Sequence, residues 1–339
     1  MKFADGKIKK SRKKLIAFGL IGLFLVGIIV SALVVRSTYY ENLKPLSSTS
    51  KTHVVTIQPG STTTQIATNL KNKGVIKSDW AFEWYVRNKQ SKEDLKAGTY
   101  VFNQNQSVQE IVEIIANGKV ATDLITILPG KTLEQLKAGF IKAGFTSADV
   151  DSALEPTQYD KHPALVDKPK EASLEGYLYP ETFQKTAETK LKDIITLSLD
   201  EMQLRLTAEV RQAIAKQGLT LHQGITLASI IEGEVGSPED RALVSQVFQK
   251  RLKEGIRLES NATDDYAKIN PAYDTYKIEG LTPGPISNFT ESSINAVAFP
   301  AGTDWLFFVT GDNGQTHFSK TLAEQEANIA KYCTSACGR

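Results

Sequence analysis

Cysteine is nearly absent from this sequence. Its 339 residues include two, Cys333 and Cys337, both within the last seven positions. A fold that depends on disulfides is excluded, and a Cys-x-x-x-Cys bridge could tie down no more than the tail. Two thiols also fall short of the ligand set of a structural zinc site. Histidine is scarce as well: His53, His162, His222 and His317 are the four. No pair has the helical spacing of metal ligands, and none lies beside a Gly-x-Ser-x-Gly turn, which argues against zinc hydrolases and serine triads. A glycine-rich loop of the phosphate-cradling kind is also missing.

There is little excess of either charge. The chain totals +2, but Lys2, Lys7, Lys9, Lys10, Arg12, Lys13 and Lys14 against Asp5 give residues 1–14 a charge of +6, leaving −4 on the rest. A mildly acidic body lacks the basic face that nucleic acid requires, so nucleic acid is not an expected partner. Hydrophobic residues make up 41% of the chain and charged residues 23%, enough apolar side chain for a sizeable core.

One long apolar run is present. Leu15 to Val35 carries no charged residue, and its length suits a single bilayer crossing as a helix. The basic cluster before it places the N-terminus in the cytoplasm and residues after about 37 outside. A signal peptide has a shorter core of about 7–15 residues and a small-residue cleavage site. This run ends in Leu33, Val34 and Val35, so an uncleaved anchor in the cell membrane is expected. Residues 36–52, containing Pro45 and the polar stretch Ser47 to Thr52, read as a linker.

A near-repeat follows. Val55-Thr56-Ile57-Gln58-Pro59-Gly60-Ser61-Thr62 resembles Ile125-Thr126-Ile127-Leu128-Pro129-Gly130-Lys131-Thr132. Each copy reads as a short β-branched strand, a Pro-Gly turn, and a helix ending at Gly74 or Gly144. The first copy continues into a second helix near Trp80–Lys89, a strand at Lys96–Phe102 and a helix near Val108–Ile115. This strand–helix–helix–strand pattern resembles a LysM-like module, a small domain associated with N-acetyl sugar polymers.

Further along, Leu174 to Phe183 is an aromatic loop whose Tyr177 and Tyr179 could stack on sugar rings. Apolar spacing predicts one long helix over Glu188–Gln217, a second over Gly224–Val235, and a third from Ser237-Pro238 to Gly255. Trp305–Thr310 and Thr316–Ser319 flank an Asn-Gly turn and predict a hairpin. Thr321 to Glu324 makes a capping box for a closing helix.

The candidate for chemistry is a carboxylate. Glu232 follows the apolar stretch Ala228-Ser229-Ile230-Ile231 on a helix that must otherwise be buried. Apolar walls would disfavour its charged form and suit it to act as a general acid. Glu234 lies two positions on and points elsewhere on a helix.

Five stretches together resemble the endolytic murein transglycosylase family (MltG, or YceG-like). They are Lys96-Ala97-Gly98-Thr99-Tyr100; Leu174 to Phe183; Ala228 to Glu234; Arg251-Leu252 with Leu258-Glu259-Ser260; and Tyr273-Asp274-Thr275-Tyr276 through Gly280 to Ile286. The resemblance runs from about residue 53 to 332. It implies that Glu232 protonates the bond between N-acetylmuramic acid and N-acetylglucosamine. Glu232 then serves as base for the C6 hydroxyl, which closes a 1,6-anhydro ring. No cofactor and no metal are implied. The glycan strands, the cytoplasmic membrane and cell-wall synthesis enzymes are the implied partners. Glu175, Tyr177, Tyr179, Glu234, Ser260, Asn261, Thr275 and Tyr276 are the expected substrate-binding residues. The chain departs from the family at Asn261-Ala262, where Asp-Pro is usual, at Asp274 in place of Asn, and at Phe289-Thr290 in place of Pro-Gly. These departures are expected to bear on substrate contacts and not on Glu232.

The expected class is α+β. A cytoplasmic basic tail (1–14) precedes a transmembrane helix (15–35) and a linker (36–52). A LysM-like α+β module (53–120), a mixed α/β catalytic domain with a C-terminal β-hairpin (121–332) and a short tail (333–339) follow. The rival expectation is a membrane-anchored scaffold that binds peptidoglycan without cutting it.

Overall fold

Helix α1 runs from Asp5 to Leu43 in a computed structural model of the chain. The structure describes residues 5–48, 52–88, 95–121, 123–186 and 188–334, with side chains of α1 described at Leu23 and from Leu25 onward. Among the described residues no helix is long and apolar enough to cross a membrane. The expected span Leu15–Val35 lies within α1, with the side chains of residues 15–22 and of Phe24 outside the described ones, and residues 1–4 and Cys337 lie outside the described residues. Residues 36–43, expected to open a linker, are helical instead. They contain no proline or glycine, and Pro45 is the first residue unable to continue a helix. Leu43 packs against the core of the unit that follows.

The chain divides into two compact units, Met1–Asp123 and Leu124–Arg339. In the first, β1 (Thr52–Ile57), α2 (Thr63–Asn72), α3 (Asp79–Asn88), β2 (Gly98–Asn103) and α4 (Val108–Asn117) follow α1. Strands β1 and β2 are antiparallel, with Val55 opposite Tyr100 and Ile57 opposite Gly98. Alternation along the strands turns Val55, Ile57, Tyr100 and Phe102 inward. They meet Leu70, Phe82, Ile111 and Ile115 from the helices in one buried cluster.

The second unit opens with the same order of elements: β3 (Leu124–Thr126), α5 (Leu133–Lys142), α6 (Ser147–Ala153) and β4 (Thr182–Gln184). The near-repeat in the sequence covers strand, turn and first helix; the structure extends it to the second helix and the returning strand. Thr62 and Thr132 both cap their helices in boxes closed by Gln65 and Gln135. A threonine pair crosses each hairpin, Thr56 to Thr99 at 3.0 Å and Thr126 to Thr182 at 3.1 Å between hydroxyls. Gly74 and Gly144, each just past a helix end, adopt positive φ of 64° and 95°, which side chains other than glycine rarely tolerate.

The predicted long helix over Glu188–Gln217 is two helices, α7 (Leu191–Arg205) and α8 (Ala208–Lys216). Thr207 breaks the run, its hydroxyl accepting the Val210 N–H at 3.2 Å to cap the second. Helix α9 (Leu221–Glu234) is the centre of the unit. Ile225, Leu227, Ala228, Ile230 and Ile231 are fully buried, as a helix apolar all round must be. It packs against α8, α10 (Pro238–Glu254) and α12 (Glu291–Ala298). The short helix α11 (Asp264–Ile269) lies between α10 and α12 in sequence. Strands β5 (Phe307–Thr310) and β6 (Thr316–Ser319) form the expected hairpin, and Thr321 caps α13 (Leu322–Tyr332) with Glu324. The described residues therefore form an α+β fold of helices and three two-stranded antiparallel sheets, one in the first unit and two in the second.

Candidate active site

Segment 283–290 runs beside α9 in the same direction and is tied to it at three points. Nε2 of His222 lies 3.2 Å from the Pro283 carbonyl oxygen. The Ile286 N–H donates to Ser229 Oγ at 3.0 Å. The Thr290 N–H donates to Oε2 of Glu232 at 2.9 Å. Asn288, buried between these ties, holds the segment from the other side. Its Oδ1 accepts the Lys131 N–H at 2.8 Å, and its Nδ2 donates to the carbonyls of Leu128 at 3.0 Å and Leu178 at 3.1 Å. The repeated Pro-Gly turn and the aromatic loop are thereby stitched to the strand of chain that reaches Glu232.

Only 7% of the Glu232 side chain is exposed. Its Oε2 accepts the Thr290 N–H at 2.9 Å, the Thr290 hydroxyl at 2.7 Å and the Ser293 hydroxyl at 2.7 Å. Its Oε1 stands 3.1 Å from Nη2 of Arg241. Arg241 is equally buried and also donates to the hydroxyls of Thr290 and Ser292. The apolar walls expected around Glu232 are thus polar ones. The reason is tertiary: the N-terminal turn of α12 brings its donors onto the carboxylate. Charge-assisted bonds of this kind are the strong ones, and they fix the carboxylate in one orientation.

Glu234 points to the other side of the α9 terminus. It accepts the Ser260 hydroxyl and, at 3.1 Å, the Ala262 N–H. Burial raises its pKa, and those two bonds oppose the shift. Ser260 and Thr275 are buried and grip each other, the Ser260 N–H donating to Thr275 Oγ1 at 2.9 Å. Close approach is required here: a Cβ on Gly233 would sit 2.9 Å from that of Ala262. Asn261 and Tyr276 face solvent, and the Tyr276 hydroxyl donates to Asn261 Oδ1 at 2.6 Å.

Glu175 caps α5, accepting the Leu133 N–H at 3.0 and 2.9 Å with its two oxygens. It also accepts the Tyr266 hydroxyl. Burial raises its pKa against these bonds. Tyr266 and Tyr273 rings lie 5.0 Å apart beside it, both partly exposed.

Tyr177 and Tyr179, expected to meet sugar rings, are 1% and 7% exposed. The Tyr177 hydroxyl lies 2.8 Å from Nδ1 of His222, whose pKa burial lowers. Arg205 stands 4.9 Å from the centre of the Tyr179 ring. Both rings are committed to the protein interior because the loop is drawn in at Gly176, where φ is +79° and a Cβ would strike Pro285.

The structure therefore gathers Glu234, Ser260, Asn261, Thr275 and Tyr276 in one cluster, while Glu232 has a separate set of partners. Sequence reasoning missed Arg241, Thr290 and Ser293. One signal was available: Thr290 stands at a departure from the family pattern. That departure was expected to leave Glu232 untouched, and it falls directly on it.

Residues 55–331 match the YceG-like family. The endolytic murein transglycosylase of Bacillus subtilis is 32% identical over 320 residues, 86% of this chain and 88% of that protein. The protein of the same name from Streptococcus pneumoniae is 27% identical over 340 residues, covering 87% of this chain and 61% of its own length. The crystal structure of a yceG-like protein from Listeria monocytogenes superposes with a TM-score of 0.54 at 30% identity. That superposition covers 82% of this chain and 99% of the Listeria one.

Proposed function

This chain belongs to the YceG-like family, and from that premise we propose that it is an endolytic lytic transglycosylase acting on peptidoglycan. It cleaves the β-1,4 bond between N-acetylmuramic acid and N-acetylglucosamine, and Glu232 is its general acid and base. The observation that carries the reading is the Glu232 carboxylate near the end of α9, held by an arginine and two hydroxyl side chains. Glu232 in its acid form gives its proton to the glycosidic oxygen, and the N-acetylglucosamine end leaves as an alcohol. The carboxylate left behind takes the proton of the C6 hydroxyl as O6 bonds to C1. The 1,6-anhydro ring closes and the proton is back on Glu232.

No water is consumed. A hydrolase must position a second carboxylate for water or for attack at carbon. Here the nucleophile is part of the sugar, with the large proximity advantage of an intramolecular reaction. Arg241 stabilises the carboxylate in the second half of the cycle, and Thr290 and Ser293 hold its direction throughout. Asn261, Tyr276 and the Tyr266–Tyr273 pair offer the exposed polar and aromatic edges that a glycan strand needs.

The anchored topology belongs to the same proposal. Leu15–Val35 crosses the cytoplasmic membrane with the N-terminus inside, so that both folded units work on strands near the outer surface, alongside the enzymes that make them. The product ends test the reaction: an anhydro end is one water lighter than a hydrolytic end and takes up no hydride from borohydride. Reducing ends would make the protein an ordinary glycosidase; intact strands in a sample that still binds them would make it a scaffold.

A further inference from the structure

The first unit carries a cluster of large aromatic side chains that the proposed chemistry does not use. Trp80 and Trp84 on α3 are 43% and 44% exposed, and Tyr40 on α1 is 53% exposed. Tyr39 lies between them, its ring 4.6 Å from that of Trp84 edge-on, 5.9 Å from that of Trp80 and 5.3 Å from that of Tyr40. Arg36 lies 5.6 Å from the centre of the Tyr40 ring. This group cannot swing freely about the end of α1. Lys77, just before α3, donates to the Glu41 carbonyl at 3.3 Å and pairs with its carboxylate at 3.6 Å.

The position of the cluster along α1 says what covers it. Every large apolar side chain described from Leu23 to Val35 is exposed, continuing directly into the aromatic group. At about 1.5 Å per residue, Leu15–Val35 spans about 31 Å, the thickness of a bilayer's hydrocarbon core at about 30 Å. Tyr39 and Tyr40 then lie about 6–8 Å beyond its edge, inside the headgroup layer. Tryptophan and tyrosine, flanked by basic side chains, are the residues that settle at that depth.

We infer that Tyr39, Tyr40, Trp80 and Trp84 form an interfacial platform that seats the first unit in the phospholipid headgroup layer next to its own helix. The inference rests on the anchored topology proposed above. It makes the first unit a body held against the membrane surface, not one that swings on a tether.

Only three tryptophans exist, Trp80, Trp84 and Trp305, so a Trp305→Phe chain reports on the platform alone. The full chain is reconstituted into phosphatidylcholine–phosphatidylglycerol vesicles whose acyl chains are brominated either near the headgroup or near the bilayer centre. Loss of most of the tryptophan emission with the shallow label and little with the deep one is expected. The parent chain should show the same contrast above a constant Trp305 background. Emission that neither label quenches, in vesicles that retain the protein through an alkaline carbonate wash, overturns the platform and leaves the anchor standing. Emission that shifts with soluble N-acetylglucosamine oligomers and not with lipid also overturns it. Protein lost in the carbonate wash overturns the anchor and the platform together.

Discussion

Thr290 gives Glu232 two donors at once, its backbone N–H at 2.9 Å and its hydroxyl at 2.7 Å from the same carboxylate oxygen. The pair lies 58 residues apart in sequence. It joins the end of the central helix to the first turn of α12, so the carboxylate proposed as acid and base is set by how two helices pack. Thr290→Val keeps the N–H and the shape and removes the hydroxyl. A bond to a charged group is worth about 1.5–3 kcal/mol. Urea unfolding should register a loss of that size, and turnover of glycan strands should fall with it.

Arg241 is the only cation paired with Glu232 among the described residues. Removing one partner of a buried pair costs about 3–5 kcal/mol, because the other charge is left uncompensated. Arg241→Met should lose that much stability and all measurable cleavage. Adding Glu232→Gln to Arg241→Met should restore much of the stability and none of the activity. That non-additive cycle is measured by chemical unfolding of the four proteins.

Glu234 predicts a pH dependence. Burial raises its pKa above the ordinary carboxylate value, so the folded protein binds more protons than the unfolded one through that window. Its contribution to stability is fully present below the ordinary value and is lost as pH rises through the raised one. Glu234→Gln removes this titration. The variant's urea midpoint relative to the parent should therefore improve as pH climbs from about 4 to about 8. Glu175 is shifted in the same direction and remains in both proteins, so the difference isolates Glu234.

Tyr177 separates a structural from a sugar-stacking role. Its hydroxyl faces Nδ1 of His222, and its ring is 1% exposed. Tyr177→Phe should cost about 1–3 kcal/mol for the buried nitrogen left without a partner. KM for glycan strands should not change. A raised KM with unchanged stability would return the ring to the cleft.

How much of this was legible depended on how local the cause was. The hairpin at Asp312-Asn313-Gly314, the caps at Thr132 and Thr321 and the ends of α10 follow from residues within a few positions, and the structure has them. The buried character of α9 also followed from its composition. The long helix over Glu188–Gln217 failed at Thr207, because apolar spacing continues across a break that a hydroxyl makes. The polar surroundings of Glu232 were not legible at all. Thr290 and Ser293 reach it from 58 and 61 residues away, and only the packing of α12 on α9 puts them there. The burial of Tyr177 and Tyr179 was not legible for a related reason: a loop has no period, so nothing local says which way its rings turn.

The central claim is that Glu232 drives cleavage without water. The direct test incubates the chain with purified peptidoglycan beside its Glu232→Gln variant and reads the product ends by mass spectrometry. Anhydro-muramyl ends from the parent and intact strands from an equally folded variant are the predicted result. Cleavage by the variant at the parent's rate, or reducing ends from the parent, would contradict it.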